Sequence, residues 1–478
     1  MANAPGDCVS LAIAKFEAAG SIKSGHREIT LDKSPTFRRI DLFCGDCPHC
    51  HSGAATRASR RARPSILAKF REAIMHTSAR PISHFRVPMK IVDIRATPVN
   101  IPFTAPYVFS YGSVASLTKT IIEVVTDDGV TGLGECADGN RAADVLRMKD
   151  RLIGLDIREI TIAEQRCVPG NRYSPWGNIL GARRAYAGIE MALWDARART
   201  EGVPLHVLLG GAVRHDIGLT EYFAFRLPGA KEKGEASALD VARYCARMLE
   251  QYGSDTFEGK VATVSLDEEV TMVREIRAAI GDRRLQLDAN GGWTVPTARE
   301  AMRRLDPYVI HYYEDPVETA EEMAQLRHHT RASFSTHILD LPKAIALRAP
   351  DTFVTNLNEL GGIRRTMEFI RACEMHDIGF RFHSGETSVG SAAYLHVSAA
   401  VEHIREPSQT LFRWYADDVV SEGTFVPKNG FVSVPKGPGL GVTLDAKALK
   451  RCHQRFLDEG EYPPAQTGTN FRGRFFRV

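Results

Sequence analysis

The sequence has no apolar run near the ~20 residues that a membrane-spanning helix needs, so no span is expected. It has almost no excess of one charge. A formal net of +3 over 478 residues gives no pull toward nucleic acid or an anionic membrane surface. Its first residues lack a basic segment followed by an apolar stretch, so no secretory leader is expected. Cysteine is scarce and mostly scattered. Nine residues suit a reducing cytoplasm better than a disulfide scaffold. What remains is an ordinary globular composition, 44% hydrophobic, and length enough for two or three domains.

Sustained periodicity is missing from residues 1–88, where Arg57, Arg60, Arg61 and Arg63 cluster. This stretch reads as a poorly ordered extension, or as sequence upstream of a true start at Met89. Its one compact motif is CGDCPHCH, with Cys44, Cys47, Cys50 and His51 at metal-like spacing. A structural zinc site usually needs a second, distant ligand pair, and only Cys8 is on offer, so zinc is not expected.

Residues 89–212 read as a first compact unit. IVDIRATPVNIPF and TKTIIEVVTDDGVTGLGECA alternate like antiparallel strands, with Asp128-Gly129 as the hairpin turn. AYAGIEMALWDARARTEG follows with helical spacing and ends at Gly202. Over residues 213–420 the pattern becomes strand–helix alternation. Eight short runs, from LTEYFAF to TLFRWY, alternate with amphipathic stretches such as LDEEVTMVREIRAAIG, which argues for a closed parallel (β/α)8 barrel. Residues 421–478 contain the Pro/Gly-rich VPKGPGLGV and are expected to return to the first unit.

Within the barrel region, Lys260, Asp288, Glu314 and His337 recur at a beat of about 25 residues, and His383 follows about two beats later. Each ends a short apolar or aromatic run. A β/α unit takes about this length, so the five gather at the end of a parallel sheet where such barrels keep their chemistry.

MALWDARARTEGVPLHVLLGG, LDANGGW, YYEDP, TNLNELGGI, FHSGE and KGPGLGV occur in one order across residues 89–450. In these motifs the chain resembles the enolase superfamily, in its mandelate racemase and muconate lactonizing enzyme type, and most of all its glucarate dehydratase branch. The resemblance implies an α/β fold: a modified (β/α)8 TIM barrel with an N-terminal α+β capping domain. It also implies a bound Mg²⁺ and removal of a proton beside a carboxylate.

By the same resemblance Asp288 and Glu314 are the first two metal ligands. The third is His337 or, three residues on, Asp340. Imidazole is a softer donor than Mg²⁺ prefers, and His337 could instead contact substrate. Lys260 takes the place of the proton-abstracting lysine, but Glu258 replaces the lysine that usually precedes it. A neighbouring anion raises a lysine pKa. His383 matches the catalytic histidine. Asn356 replaces its usual aspartate partner, and cannot stabilise an imidazolium as a carboxylate would. Tyr107, Tyr111, Asn140, Arg141, Tyr222, Asn290 and Arg413 are the substrate-binding candidates.

The leading expectation is a Mg²⁺-dependent hydro-lyase acting on a sugar acid. Lys260 takes the α-proton, His383 assists departure of the β-hydroxyl, and a 2-keto-3-deoxy acid results. Racemisation or epimerisation on the same fold is the first alternative. A non-catalytic metabolite-binding relative, suggested by Glu258 and Asn356, is the second. Muconate-type cycloisomerisation is disfavoured because its sixth-strand lysine is absent. The expected partner is a small sugar acid in the cytoplasm, with no nucleic acid or membrane. The family is often oligomeric, so a homo-oligomer is an open expectation.

Overall fold

A computed structural model of the chain describes residues 89–168, 170, 179–383 and 385–462. The sequence expectations for residues 1–88, including the Cys44–His51 motif, fall outside the described residues.

β1 (Ile91–Phe109), β2 (Gly112–Thr126) and β3 (Thr131–Cys136) form an antiparallel sheet in that order. The β2–β3 turn passes through Asp128-Gly129. Gly129 takes φ +86°, and Asp128 Oδ1 accepts from the Thr126 hydroxyl and the Val130 amide. The helix Ile179–Glu201 crosses this sheet at close range. A Cβ on Gly134 would stand 2.0 Å from the Gly188 carbonyl oxygen, so only glycine allows the approach. Sheet and helix together form the cap.

β4 (Asp216–Gly218) leads into the barrel. β5 (Glu221–Phe223), β6 (Thr256–Lys260), β7 (Arg284–Asp288), β8 (Tyr312–Glu314), β9 (Ser333–Thr336), β10 (Thr352–Thr355) and β11 (Gly379–Phe382) follow in one parallel sheet, in sequence order. Between strands lie helices with local start signals. Ser265 and Thr319 each accept from the backbone three residues on, while Glu268 and Glu322 reach back. Such caps contribute about 1 kcal/mol each. The apolar core runs between the strands and their outer helices, with Phe223, Phe257, Phe334, Phe353 and Phe380 all fully buried.

TLFRWY does not form the expected eighth strand. Ser408 and Gln409, just before it, close the ring: Gln409 N donates to Phe382 O (2.9 Å), Ser408 N to Gly218 O (3.0 Å), and Thr220 N to Ser408 O (2.9 Å). Phe412–Trp414 is instead a 3₁₀ turn. Tertiary contacts hold that turn: Arg413 is drawn to Glu221 and the Pro427 carbonyl, and Trp414 Nε1 to the Tyr244 hydroxyl. β12 (Phe431–Ser433) then pairs with β4, and the last helix among the described residues, Ala446–Glu459, packs back on β1.

Candidate active site

Strand register brings the sequence candidates together. Lys260 is the lateral neighbour of Asp288 across β6–β7, and Asp288 of Glu314 across β7–β8. All three are buried at the C-terminal edge of the barrel. The Lys260 ammonium contacts Asp288 Oδ2 directly. Tyr222 OH donates to the same oxygen (3.2 Å), as does Asn290 Nδ2 (3.1 Å), and the Asn290 amide donates to Oδ1 (2.8 Å). Burial disfavours the ammonium of Lys260, but Asp288 and then Tyr222 outweigh it and hold its pKa well above the ordinary lysine value.

His337 Nε2 lies 3.1 Å from Glu314 Oε1, and its ring meets that of His383 edge-on, centroids 4.9 Å apart. The two imidazoles are driven in opposite directions. Burial would lower His337, but the hydrogen bond and charge of Glu314, with Asp315 and Asp288, push it up to about 9. Burial and the neighbouring His337 hold His383 well below the ordinary value. No described residue hydrogen-bonds the His383 ring. The site thus pairs a protonated imidazole with a neutral one.

Beneath these residues lies a second polar layer, two positions earlier on each strand and therefore on the same face. Glu258, Gln286, Ser335 and Arg381 fill it. Arg381 donates to both oxygens of Glu258 (2.7 and 2.8 Å), to Glu314 Oε2 (2.8 Å), to Gln286 and to Ser335. Gln409 Nε2 spans Glu258 and Glu314. Glu258 is therefore not a bare anion beneath Lys260. The cation missing from β6 stands on β11 instead, and the guanidinium neutralises it. Sequence reasoning missed Arg381 and Gln409. The signal for Arg381 was its place two residues before His383.

Several candidates stand elsewhere. Asp340 caps the helix Leu341–Leu347, accepting from Lys343 N (3.0 Å), which corrects its reading as an alternative metal ligand. Asn356 Oδ1 accepts from the amides of Asn358 and Glu359, so it caps the next turn, and no hydrogen bond joins it to His383 among the described residues. Arg413 is bound by both oxygens of Glu221 (2.8 and 2.9 Å) outside the barrel interior, not poised for substrate. Asn140 Oδ1 accepts from the Ala142 amide (3.1 Å) ahead of the helix Ala142–Leu152, and Arg141 pairs with Asp138 (2.7 Å) and Asp144 (3.5 Å). Both serve cap structure. Tyr107 and Tyr111 do approach. Tyr107 packs on Trp414 (5.3 Å), and burial pushes its hydroxyl up to about 12 although Lys260 opposes. Tyr111, 44% exposed, lies over Phe109.

Asp315, the second acid of YYEDP, is partly buried beside the site with φ +37°; its amide donates to the Ser335 carbonyl (2.9 Å) and its Oδ1 accepts from the Thr336 hydroxyl. Burial raises its pKa to about 6, His337 lowering it and Glu314 raising it. Among the described residues no three His, Cys, Asp or Glu side chains converge closely enough to hold a metal ion by themselves. Two carboxylates on adjacent strands remain, which is the oxygen set Mg²⁺ commonly takes from protein, with water and substrate completing the octahedron.

On the far side of His383 the cap meets the barrel. Glu135 of β3 is buried and accepts from the amides of Thr387 (3.0 Å) and Gly390 (2.9 Å) and from the Thr387 hydroxyl (2.6 Å). A cap residue thereby caps the barrel helix Ser388–Ala400, which begins just after the histidine loop.

Residues 91–210 match the mandelate racemase / muconate lactonizing enzyme N-terminal domain family, and residues 240–448 the enolase C-terminal domain-like family. The fold and these matches define an enolase-superfamily protein. Within that superfamily the chain belongs to the mandelate racemase / muconate lactonizing enzyme type. It is 28% identical over 371 residues to a probable glucarate dehydratase of Streptomyces coelicolor, covering 71% of this chain and 86% of the relative. It is 29% identical to a D-galactonate dehydratase of Ralstonia pickettii, covering 68% and 88%. Among solved structures, an enolase of Pseudomonas fluorescens with bound magnesium, potassium and tartrate superposes with a TM-score of 0.71 at 26% identity, covering 78% of this chain and 94% of that one. No helix among the described residues is long and apolar enough to cross a membrane.

Proposed function

We propose that this protein is a Mg²⁺-dependent sugar-acid dehydratase that removes the proton α to a carboxylate and eliminates the β-hydroxyl. The observation that carries the reading is the register of Lys260, Asp288 and Glu314: one amine and two carboxylates, laterally adjacent and buried at one barrel edge. Asp288 and Glu314 would hold the metal, with water and substrate oxygens completing its shell, and His337 would stand hydrogen-bonded beside Glu314. When bound, Mg²⁺ neutralises the charge that develops on the substrate carboxylate as the α-proton leaves.

The chain's own residues divide the rest of the work. Lys260, once released from Asp288 and having given its ammonium proton to solvent, takes the α-proton at Nζ as a neutral amine, and the C–H electron pair moves into the enediolate. Collapse of the enediolate expels the β-hydroxyl, which leaves as water with a proton from the His337–His383 pair. The protonated partner of that pair is His337, so the proton starts there. Tyr222 and Asn290 hold the Asp288 carboxylate in place. Tyr107 and Tyr111 cover the site from the cap. The enol product tautomerises to a 2-keto-3-deoxy acid.

The test is a panel of hexonates, pentonates and hexarates with Mg²⁺, reading 2-keto acid formation. No turnover of any of them, with Lys260→Ala indistinguishable from wild type, would leave only the metabolite-binding reading. One observation favours epimerisation instead: His383 is held neutral, as a second base must be. Deuterium entering at the α-carbon without loss of water would select that chemistry.

A further inference from the structure

Lys119 on β2 is 6% exposed, and its ammonium donates to the Ala137 carbonyl. An ammonium has three N–H donors, and Lys119 makes no ion pair within 4 Å among the described residues. Glu386, three residues past His383, is 4% exposed, and its Oε2 has no hydrogen-bond partner. Buried polar atoms left in this state are costly, by about 1–3 kcal/mol each.

These groups stand around the loop Gly385–Gly390. A Cβ built on Gly385 would stand 3.7 Å from His383 Cε1 and 3.9 Å from Lys119 Nζ, so imidazole and ammonium flank that glycine. A Cβ on Gly390 would stand 2.9 Å from both Glu386 Cγ and Glu135 Oε2. The Lys119 charge in turn acts on the carboxyls of Glu135 and Glu386.

We propose that Lys119 and Glu386 form a hydroxyl-reading subsite beside His383, which selects monocarboxylic polyhydroxy acids over dicarboxylic ones. The inference rests on the sugar-acid reading above and narrows its substrate class. Spare donors on one side and a spare acceptor on the other are together met by a hydroxyl, which both donates and accepts. A carboxylate only accepts. Burial pushes Glu386 up to about 7, so above that pH, where it is ionised, a carboxylate would leave Oε2 unmet and add another anion beside Glu135 and Glu386. Arg141 and Arg413, the other cations the sequence offers for a distal carboxylate, are bound to Asp138 and Glu221.

The experiment is direct binding by calorimetry in saturating Mg²⁺, using gluconate and galactonate against glucarate and galactarate. Wild type is expected to bind its better hexonate about tenfold more tightly than its better hexarate. Glu386→Gln and Lys119→Met should each cut that ratio several-fold, with melting temperature reported beside each to verify folding. A hexarate bound as tightly as the hexonates, binding of neither class, or an unchanged ratio in both folded variants overturns the subsite. Turnover is measured separately. Selective binding with no 2-keto acid formed would sink the dehydratase reading and leave the subsite standing.

Discussion

Lys260 is the proposed general base, and among the described residues it is the one amine in direct contact with Asp288. Lys260→Ala is expected to lower kcat by about 10²–10⁴-fold, the usual contribution of a positioned general base. Stopped assays of 2-keto acid formation check it, and a loss smaller than tenfold would assign the proton transfer elsewhere. Arg381 presents a different case. It is fully buried, and its guanidinium serves Glu258 and Glu314 together. Arg381→Met strands two carboxylates in the barrel interior and should cost about 3–5 kcal/mol in urea unfolding. Because the cost is that of stranding charge, the double variant Glu258→Leu/Arg381→Met should be less destabilised than the sum of its single changes. Strict additivity would show that the pair is not coupled.

Among the secondary-structure elements, the junction behind the barrel holds a histidine pair whose state depends on pH. His206, on the short helix Leu205–Leu208, and His396, on Ser388–Ala400, stand Nδ1 to Nδ1 at 3.0 Å, and His396 Nε2 meets the Leu440 carbonyl at 3.2 Å. Burial, opposed by the Leu440 bond, lowers His396 from 6.5 to about 4. The unfolded chain therefore binds a proton that the fold refuses. Stability is full above about pH 6.5 and falls as pH drops toward 4, by about 3 kcal/mol at most. Urea unfolding at pH 7, 5.5 and 4.5 should show this decline, and His396→Asn should flatten it. Equal slopes for both proteins would mean the pair does not set the acid limit. The same scale separates what the sequence predicts well from what it does not. β5 to β11 lie where short apolar runs ending in chemical residues put them. TLFRWY fails because its alternation matches a strand, while Glu221 and Tyr244, distant in sequence, hold it as a turn.

For the whole molecule, the cap and barrel share their polar seams. Glu135 caps a barrel helix, and Glu190 of the cap helix accepts from the amides of Ile363 and Arg364 (2.8 and 3.0 Å) at the start of another. A metal held by Asp288 and Glu314 binds only the folded chain, so it should stabilise the entire unit. At a hundredfold excess over its Kd, Mg²⁺ should add about 2.7 kcal/mol, seen as a rise in Tm over the same protein in EDTA. In Asp288→Asn the rise should vanish. A wild-type Tm indifferent to Mg²⁺ would remove the metal from the proposed chemistry.

Taken alone, the sequence determined the cap strands, the alternation of β5 to β11 with helices, and the gathering of Lys260, Asp288, Glu314, His337 and His383 at one edge, but not the closing eighth segment. Those follow from local periodicity and from a repeat length that a parallel barrel imposes. Only the tertiary structure decided which polar residues are engaged elsewhere. Asp340, Asn356, Arg141 and Arg413 have the right side chains at plausible positions, but each is taken by a helix end or a counter-charge. Arg381 gains its partners from strands far apart in the chain. A hydrogen bond depends on where a partner lies in space, and sequence spacing reports that only along a single element.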